Sequence, residues 1–196
     1  MLYKIAETFY SLKGEGMHTG QPMTFIRLAG CNLNCPWCDT DWSKRKEMTS
    51  DELLHVCNQY PTSTVCITGG EPLMQDLRDL TFLLHIRSYR IHLETNGTFP
   101  PEGWFDWIAV SPKHPKLNPS ICAVANEAKW VIKTSEDFKL AQETEHLFPS
   151  TAKRYLMPRA NGRQLDQKAI NQTMALCLRH PKFSFCYQLH KQLEIK

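Results

Sequence analysis

The stretch Cys31-Asn32-Leu33-Asn34-Cys35-Pro36-Trp37-Cys38 puts three thiols within eight residues, at C-x3-C-x2-C spacing. That arrangement points to a metal site rather than a covalent staple. A structural zinc site normally takes four protein ligands, often as two separated pairs. No second C-x2-C pair is present, and neither His18 nor His55 has paired spacing with the loop. A disulfide between two of the thiols would leave the third over. A cubic iron–sulfur cluster fits better, since cysteine thiolates bind such clusters, usually four at a time. With three, one iron keeps an open position that can bind and activate a small molecule. Trp37 either packs over this site or touches a ligand held there.

Working outward, Thr24 to Leu28 reads as a strand feeding Gly30 and the cysteine loop. Arg27, among its apolar residues, is either a surface residue or a buried partner for a carboxylate. Upstream, Tyr3 to Glu7 reads as a short strand, and Phe9 to Gly16 as a turn-like loop. Downstream, Thr49-Ser50-Asp51-Glu52 has the form of a capping box opening a helix. Thr64 to Thr68 is a β-branched strand running into Gly69-Gly70-Glu71-Pro72, and Leu73 to Ile86 has helical periodicity. Strands are expected over Arg90 to Glu94, Trp107 to Val110, Lys129 to Lys133, Arg154 to Met157 and Phe183 to Leu189. Helices are expected over Glu136 to Leu147 and Asp166 to Arg179, with a Pro-rich loop from Pro112 to Pro119. Strands and helices thus alternate, which predicts an α/β domain with a mainly parallel sheet. Most polar and glycine motifs follow strands, so they should converge at the sheet edge where such folds bind ligands. No repeat or domain boundary interrupts residues 1–196, which predicts one domain.

The 196 residues are 42% hydrophobic and 22% charged, ordinary for a soluble globular protein. A net charge of +3 without a basic run argues against nucleic acid as partner and is compatible with anionic small molecules. No apolar stretch has the length to cross a bilayer, and the first residues show no secretory pattern, so a cytoplasmic location is expected. Reduced thiols then follow. Cys57, Cys66, Cys122, Cys177 and Cys186 read as small buried hydrophobes.

Cys31, Cys35, Trp37 and Cys38, with Gly69-Gly70-Glu71-Pro72 after the next strand, resemble the radical S-adenosylmethionine (SAM) superfamily. Further stretches narrow the resemblance to the 7-carboxy-7-deazaguanine synthase family: Phe9 to Gly16, Cys38-Asp39-Thr40, Leu93 to Thr98, Val110 to Lys113, and Gln188-Leu189-His190-Lys191. It runs from about residue 7 to the C-terminus and is weaker over 115–127 and 138–153. It implies a shortened radical-SAM partial (β/α) barrel with mainly parallel strands, usually a homodimer. It also implies a 4Fe-4S cluster, SAM, Mg2+ and an electron donor such as flavodoxin or ferredoxin. The implied reaction converts 6-carboxy-5,6,7,8-tetrahydropterin to 7-carboxy-7-deazaguanine with release of ammonia, for queuosine-type tRNA modification and other deazapurines. Other radical-SAM enzymes that act on proteins, and a non-enzymatic metal-binding module, are the competing readings.

By the same resemblance, Cys31, Cys35 and Cys38 ligate three irons, and SAM chelates the fourth. Trp37, Cys38 and Asp39 lie along SAM. Gly69 and Gly70 let backbone approach it, and Glu71 pairs with its ammonium. Ser111-Pro112-Lys113 meets its carboxylate or ribose, and Met157-Pro158-Arg159-Ala160 its adenine side. Thr40 offers oxygen to Mg2+. Arg27 pairs with the substrate carboxylate, and Leu12, Lys13, Gly14, Thr68, Glu94 and His190 surround the ring. The terminal carboxylate of Lys196 folds back onto the substrate. Lys13 departs from the glutamine usual in the family.

Overall fold

The computed structural model describes residues 1–43, 45–162, 164 and 166–196. It contains nine strands among these residues. They are β1 (Leu2–Leu12), β2 (Pro22–Leu28), β3 (Lys46–Thr49), β4 (Thr64–Gly69), β5 (Arg90–Thr95), β6 (Trp107–Val110), β7 (Glu127–Ile132), β8 (Lys153–Pro158) and β9 (Ser184–Phe185). They form one sheet in the order β3-β1-β2-β4-β5-β6-β7-β8-β9. The β1–β2 and β1–β3 pairs are antiparallel, and every pair from β2–β4 to β8–β9 is parallel. Helices α1 (Ser50–Asn58), α2 (Arg78–Ile86), α3 (Pro119–Ala123), α4 (Ser135–Thr144), α5 (Gln167–Arg179) and α6 (Leu189–Gln192) complete it. This is the mainly parallel α/β architecture expected. No described helix is long and apolar enough to cross a membrane.

The period-two alternation of the strands sorts their residues onto two faces. Ile26, Leu28, Val65, Ile67, Ile91, Leu93, Ile108, Val110, Ala128, Trp130 and Ile132 join one apolar core with Leu53, Leu80, Leu84, Phe138 and Ala141 of the helices. The alternate positions, such as Arg27, Thr68, His92, Glu94, Lys129 and Ser111, face the other way. On that inner face Phe25, Cys66, His92 and Trp107 are successive register partners across four strands. The capping box at α1 forms as read: the Thr49 side chain accepts from Glu52 N, and Glu52 accepts from Thr49 N.

Three local expectations are corrected. The turn-like reading of Phe9 to Gly16 fails because β1 keeps pairing with β2 as far as Leu12 and Pro22, and only the chain from Lys13 onward turns. The stacked rings of Phe9 and Phe25, 4.8 Å apart, hold that pairing. The helix read from Leu73 breaks after a 3-10 turn at Pro72–Met74, because Gln75 leaves the helix to bond the Lys4 N–H and carbonyl of β1. The strand read over Phe183 to Leu189 stops at Phe185. Beyond it Leu189 N donates to Gly14 O, and α6 begins. Strand β3 and helix α3 carry no clear sequence signal. β3 is a short edge strand whose only buried residue is Met48.

Candidate active site

The C-terminal ends of β2, β4, β5, β6, β7 and β8 open onto one cleft of about 190 Å³. Thirteen of the expected residues line it: Cys31, Cys35, Trp37, Cys38, Asp39, Thr40, Gly69, Gly70, Ser111, Lys113, Met157, Arg159 and Ala160. The cysteine loop is tied down on three sides. Asn96 Nδ2, after β5, donates to Asn32 Oδ1 at 2.9 Å. The Arg159 guanidinium lies 5.0 Å from the Trp37 ring centroid. Lys191 of α6 forms an ion pair with Asp39. Gly70 forms the floor: a Cβ there would collide with the Gly30 carbonyl oxygen and lie 2.7 Å from Cys31 Cβ. Only glycine lets β4 pass so close beneath the thiols. Lys113 Nζ donates to Ser111 Oγ at 2.7 Å, and Ser111 Oγ donates to the Lys129 carbonyl at 3.0 Å.

One layer deeper, the inner face carries a chain of buried charge. The Lys129 ammonium, fully buried, sits 2.8 Å from Glu94 Oε2 and 3.0 Å from Glu15 Oε2. Lys13 pairs with the other oxygen of Glu94. Gln188 Nε2 donates to Glu15 Oε1 at 2.8 Å. Glu127 stands two residues before Lys129 and accepts from Met17 N at 2.9 Å. Burial alone would pull the Lys129 ammonium down and push the carboxylates up. The pairing wins: Lys129 is held well above its ordinary value by Glu94 and Glu15, and Glu15 and Glu94 are held low by Lys129 and Lys13. Unlike them, Glu127 is pushed up by burial. His190 packs so closely against Gly14 that a Cβ on Gly14 would collide with its Nδ1, and burial lowers its imidazole.

The matching family model is the radical SAM superfamily, over residues 25–144. The chain is 40% identical over 200 residues to a 7-carboxy-7-deazaguanine synthase from Synechocystis, covering 99% of this chain and 94% of that one. With the synthase of the same name from Bacteroides thetaiotaomicron it shares 38% identity over the full length of both. The chain belongs to the 7-carboxy-7-deazaguanine synthase family of the radical SAM superfamily. A crystal structure of QueE from Escherichia coli superposes with a TM-score of 0.86 at 29% identity, covering 97% of this chain and 95% of that one. The fold is therefore the shortened radical-SAM partial barrel expected.

Membership of the superfamily implies a 4Fe-4S cluster and SAM, and the residues present fit them. All eight cysteines are free, so three thiols remain available on the one loop. No three His, Cys, Asp or Glu among the described residues gather as they would around a single metal ion. A four-iron cluster is held by one thiolate per iron, so its ligands stand apart around it. Burial raises the Cys31 and Cys35 thiols, and Lys113 works against that at Cys35. Binding iron would deprotonate them outright.

Several expected residues lie elsewhere. Glu71 is not among the residues that line the cleft. It is fully buried and accepts from Leu73 N (3.1 Å), Thr95 Oγ1 (2.7 Å) and Asn96 N (2.7 Å), binding the β4 loop to the β5 loop. Pro112 and Pro158 are buried beside the cleft without lining it. Lys13 and Glu94 belong to the deeper layer and Gly14 packs on His190, while Leu12 ends β1 opposite Pro22 and Thr68 lies beside Arg27. Arg27, the Cα partner of Thr68, donates from Nε to Glu7 Oε1 at 2.9 Å and lies over the Phe9 ring. The Lys196 carbonyl end accepts from Ser11 Oγ at 2.6 Å, and its ammonium bonds Glu7 at 3.0 Å. The C-terminal segment thus reaches the Arg27 corner. Sequence reasoning gives Lys129 and Glu127 no role, and Glu15 and Gln188 figure in it only within motifs. The signal for the first two lies in Glu127-Ala128-Lys129-Trp130-Val131, where opposite charges two apart occupy one face of an otherwise apolar strand.

Proposed function

We propose that this protein rearranges 6-carboxy-5,6,7,8-tetrahydropterin to 7-carboxy-7-deazaguanine with release of ammonia. The observation carrying this reading is the two-layer site, a thiol-lined cleft opening directly over a buried set of paired carboxylates and ammoniums. When bound, the cluster and SAM supply radical initiation by reductive cleavage of SAM. The protein's own residues orient the reactants and exclude water. Gly70 and Gly69 provide backbone against SAM, Ser111 and Lys113 bind its carboxylate or ribose, and Trp37 and Arg159 flank the adenine side. Glu94, as a carboxylate, accepts N–H groups of the aminopyrimidine edge. Arg27 uses its fork, held at Nε by Glu7, for the pterin carboxylate. Thr40 would hold Mg2+ through its hydroxyl oxygen, and the ion would supply charge to orient the substrate carboxylate. The working unit is a single radical-SAM domain over 1–196 that pairs as a homodimer in the cytoplasm and takes electrons from a flavodoxin or ferredoxin.

Anaerobic turnover of reconstituted protein with SAM, a reductant and carboxytetrahydropterin tests the proposal. The expected result is formation of carboxydeazaguanine and ammonia, with higher rates when Mg2+ is added. SAM cleavage with the pterin returned unchanged would overturn it.

A further inference from the structure

The fully buried ammonium of Lys129 has no part in the proposed reaction scheme, yet it links the two layers of the site. It bonds Glu94 Oε2 at 2.8 Å and Glu15 Oε2 at 3.0 Å, while the carbonyl of the same residue accepts from Ser111 Oγ at the cleft. Glu15 lines the cleft and Glu94 lies beneath it. The groups form an alternating series, Lys13, Glu94, Lys129, Glu15, with Gln188 capping the far end. Removing Lys129 would leave two buried carboxylates, Glu94 and Glu15, sharing Lys13 as the one remaining ammonium of the series, with Glu127 close by. Burial and mutual repulsion would then favour a protonated carboxyl. A protonated Glu94 presents an O–H where an aminopyrimidine edge also presents donors. An ionised Glu94 presents acceptors only.

We propose that Lys129 is a positioning residue that fixes the orientation and charge of Glu94 for the donor edge of the substrate. This rests on the proposed function, because the pterin supplies that edge. The groups facing Glu94 are Lys13 from the β1–β2 connection, Glu15 from the same connection, Lys129 and Glu127 from β7, and His92 two residues before it on β5. Lys129 alone among these cations bridges both carboxylates of the series.

The test is equilibrium binding of carboxytetrahydropterin to the cluster- and SAM-loaded protein, from about pH 6 to about pH 9, with SAM affinity measured in parallel. The wild type is expected to bind with little pH dependence. Lys129→Met is expected to weaken pterin binding about tenfold or more near neutral pH. Binding should recover as pH rises and Glu94 ionises, with SAM affinity changed less than about twofold. Lys129→Arg, which restores a cation, should flatten the profile again. A purely structural role would lower stability without giving pterin affinity a pH slope. Wild-type-like binding by Lys129→Met, or a loss that is the same at every pH, would overturn the proposal. Should the Met variant not fold, Lys129→Gln carries the same expectation and the same refutation. Failure of the wild type itself to bind the pterin would instead overturn the proposed reaction.

Discussion

Protonation of His92 should destabilise the fold in mildly acidic solution. This ring is 5% exposed on the inner face of β5, with His18 4.5 Å away centroid to centroid and Trp107 beyond. Burial, then the proximity of His18 and Lys13, lowers its imidazole to about 4, against partial opposition from Glu94 and Asp106. A histidine titrating at 6.5 when unfolded and about 4 when folded binds its proton more readily in the unfolded chain. Its contribution to stability is therefore present at neutral pH and is lost as pH falls below the unfolded value. Linkage puts that loss at about 2 kcal/mol between about pH 7 and about pH 5, approaching ~3 kcal/mol near pH 4. Two groups act in the opposite sense on acidification. Glu71 and Glu127 are pushed up by burial and favour the folded state as they protonate. His190, lowered by burial, adds to the effect of His92. The informative quantity is thus the difference between wild type and His92→Phe, a replacement of similar shape that cannot titrate. Urea unfolding of the reduced, cluster-free protein, followed by tryptophan fluorescence in half-unit pH steps, measures it. The two stability profiles should diverge by about 2 kcal/mol across that interval, the variant losing less on acidification. Parallel profiles would show that the buried imidazole is not what protonation disrupts.

Gly70→Ala should leave the fold intact but strip the cluster site, because the new methyl collides with the Gly30 carbonyl oxygen and meets Cys31 Cβ at 2.7 Å. Reconstituted protein should carry markedly less iron and sulfide at unchanged circular dichroism, with a stability cost of about 1–3 kcal/mol. Arg27→Ala should weaken pterin binding about tenfold to a hundredfold while SAM affinity holds, since Arg27 stands outside the thiol cleft; equal losses for both ligands would count against it. Thr40→Ala should shift the Mg2+ concentration needed for half-maximal turnover upward, and an unchanged dependence would remove Thr40 from the metal shell.

The cofactor layer of the site is largely legible in the amino-acid sequence. Its residues sit directly after strands, and a parallel sheet brings the residues after successive strands to one edge. Sequence order therefore predicts proximity, and Cys31 to Cys38, Gly69-Gly70 and Ser111 meet as expected. The charged layer is much less so. Lys13 and Glu94 are 81 residues apart, and Lys129 and Glu15 are 114 apart. Their pairing depends on which face of each strand turns inward, and on how far the loop after β1 reaches across β7. A lone lysine in a strand reads equally well as an edge residue. Only pairing with a second strand's inner face distinguishes the buried case.

Glu71 shows the converse, a motif residue whose place is legible in the sequence and whose direction is not. The closeness of Gly70 to Gly30 forces β4 to run against the cysteine loop, and the chain then turns away at Glu71. Its carboxylate is driven into the gap between the β4 and β5 loops, where Thr95 and Asn96 complete its hydrogen bonds. The glycine that lines the cleft is thus followed directly by an acid whose carboxylate bonds the neighbouring loops. The division has a chemical logic. A free carboxylate beside three thiolates would add negative charge to a site that must already hold a cluster and a carboxylate-bearing ligand. Capped by three donors, and pushed up rather than down by its burial, Glu71 instead locks the loops that carry Gly70 and Asn96. The carboxylates left to act as acceptors are Glu15 at the cleft wall and Glu94 beneath it, each matched to an ammonium.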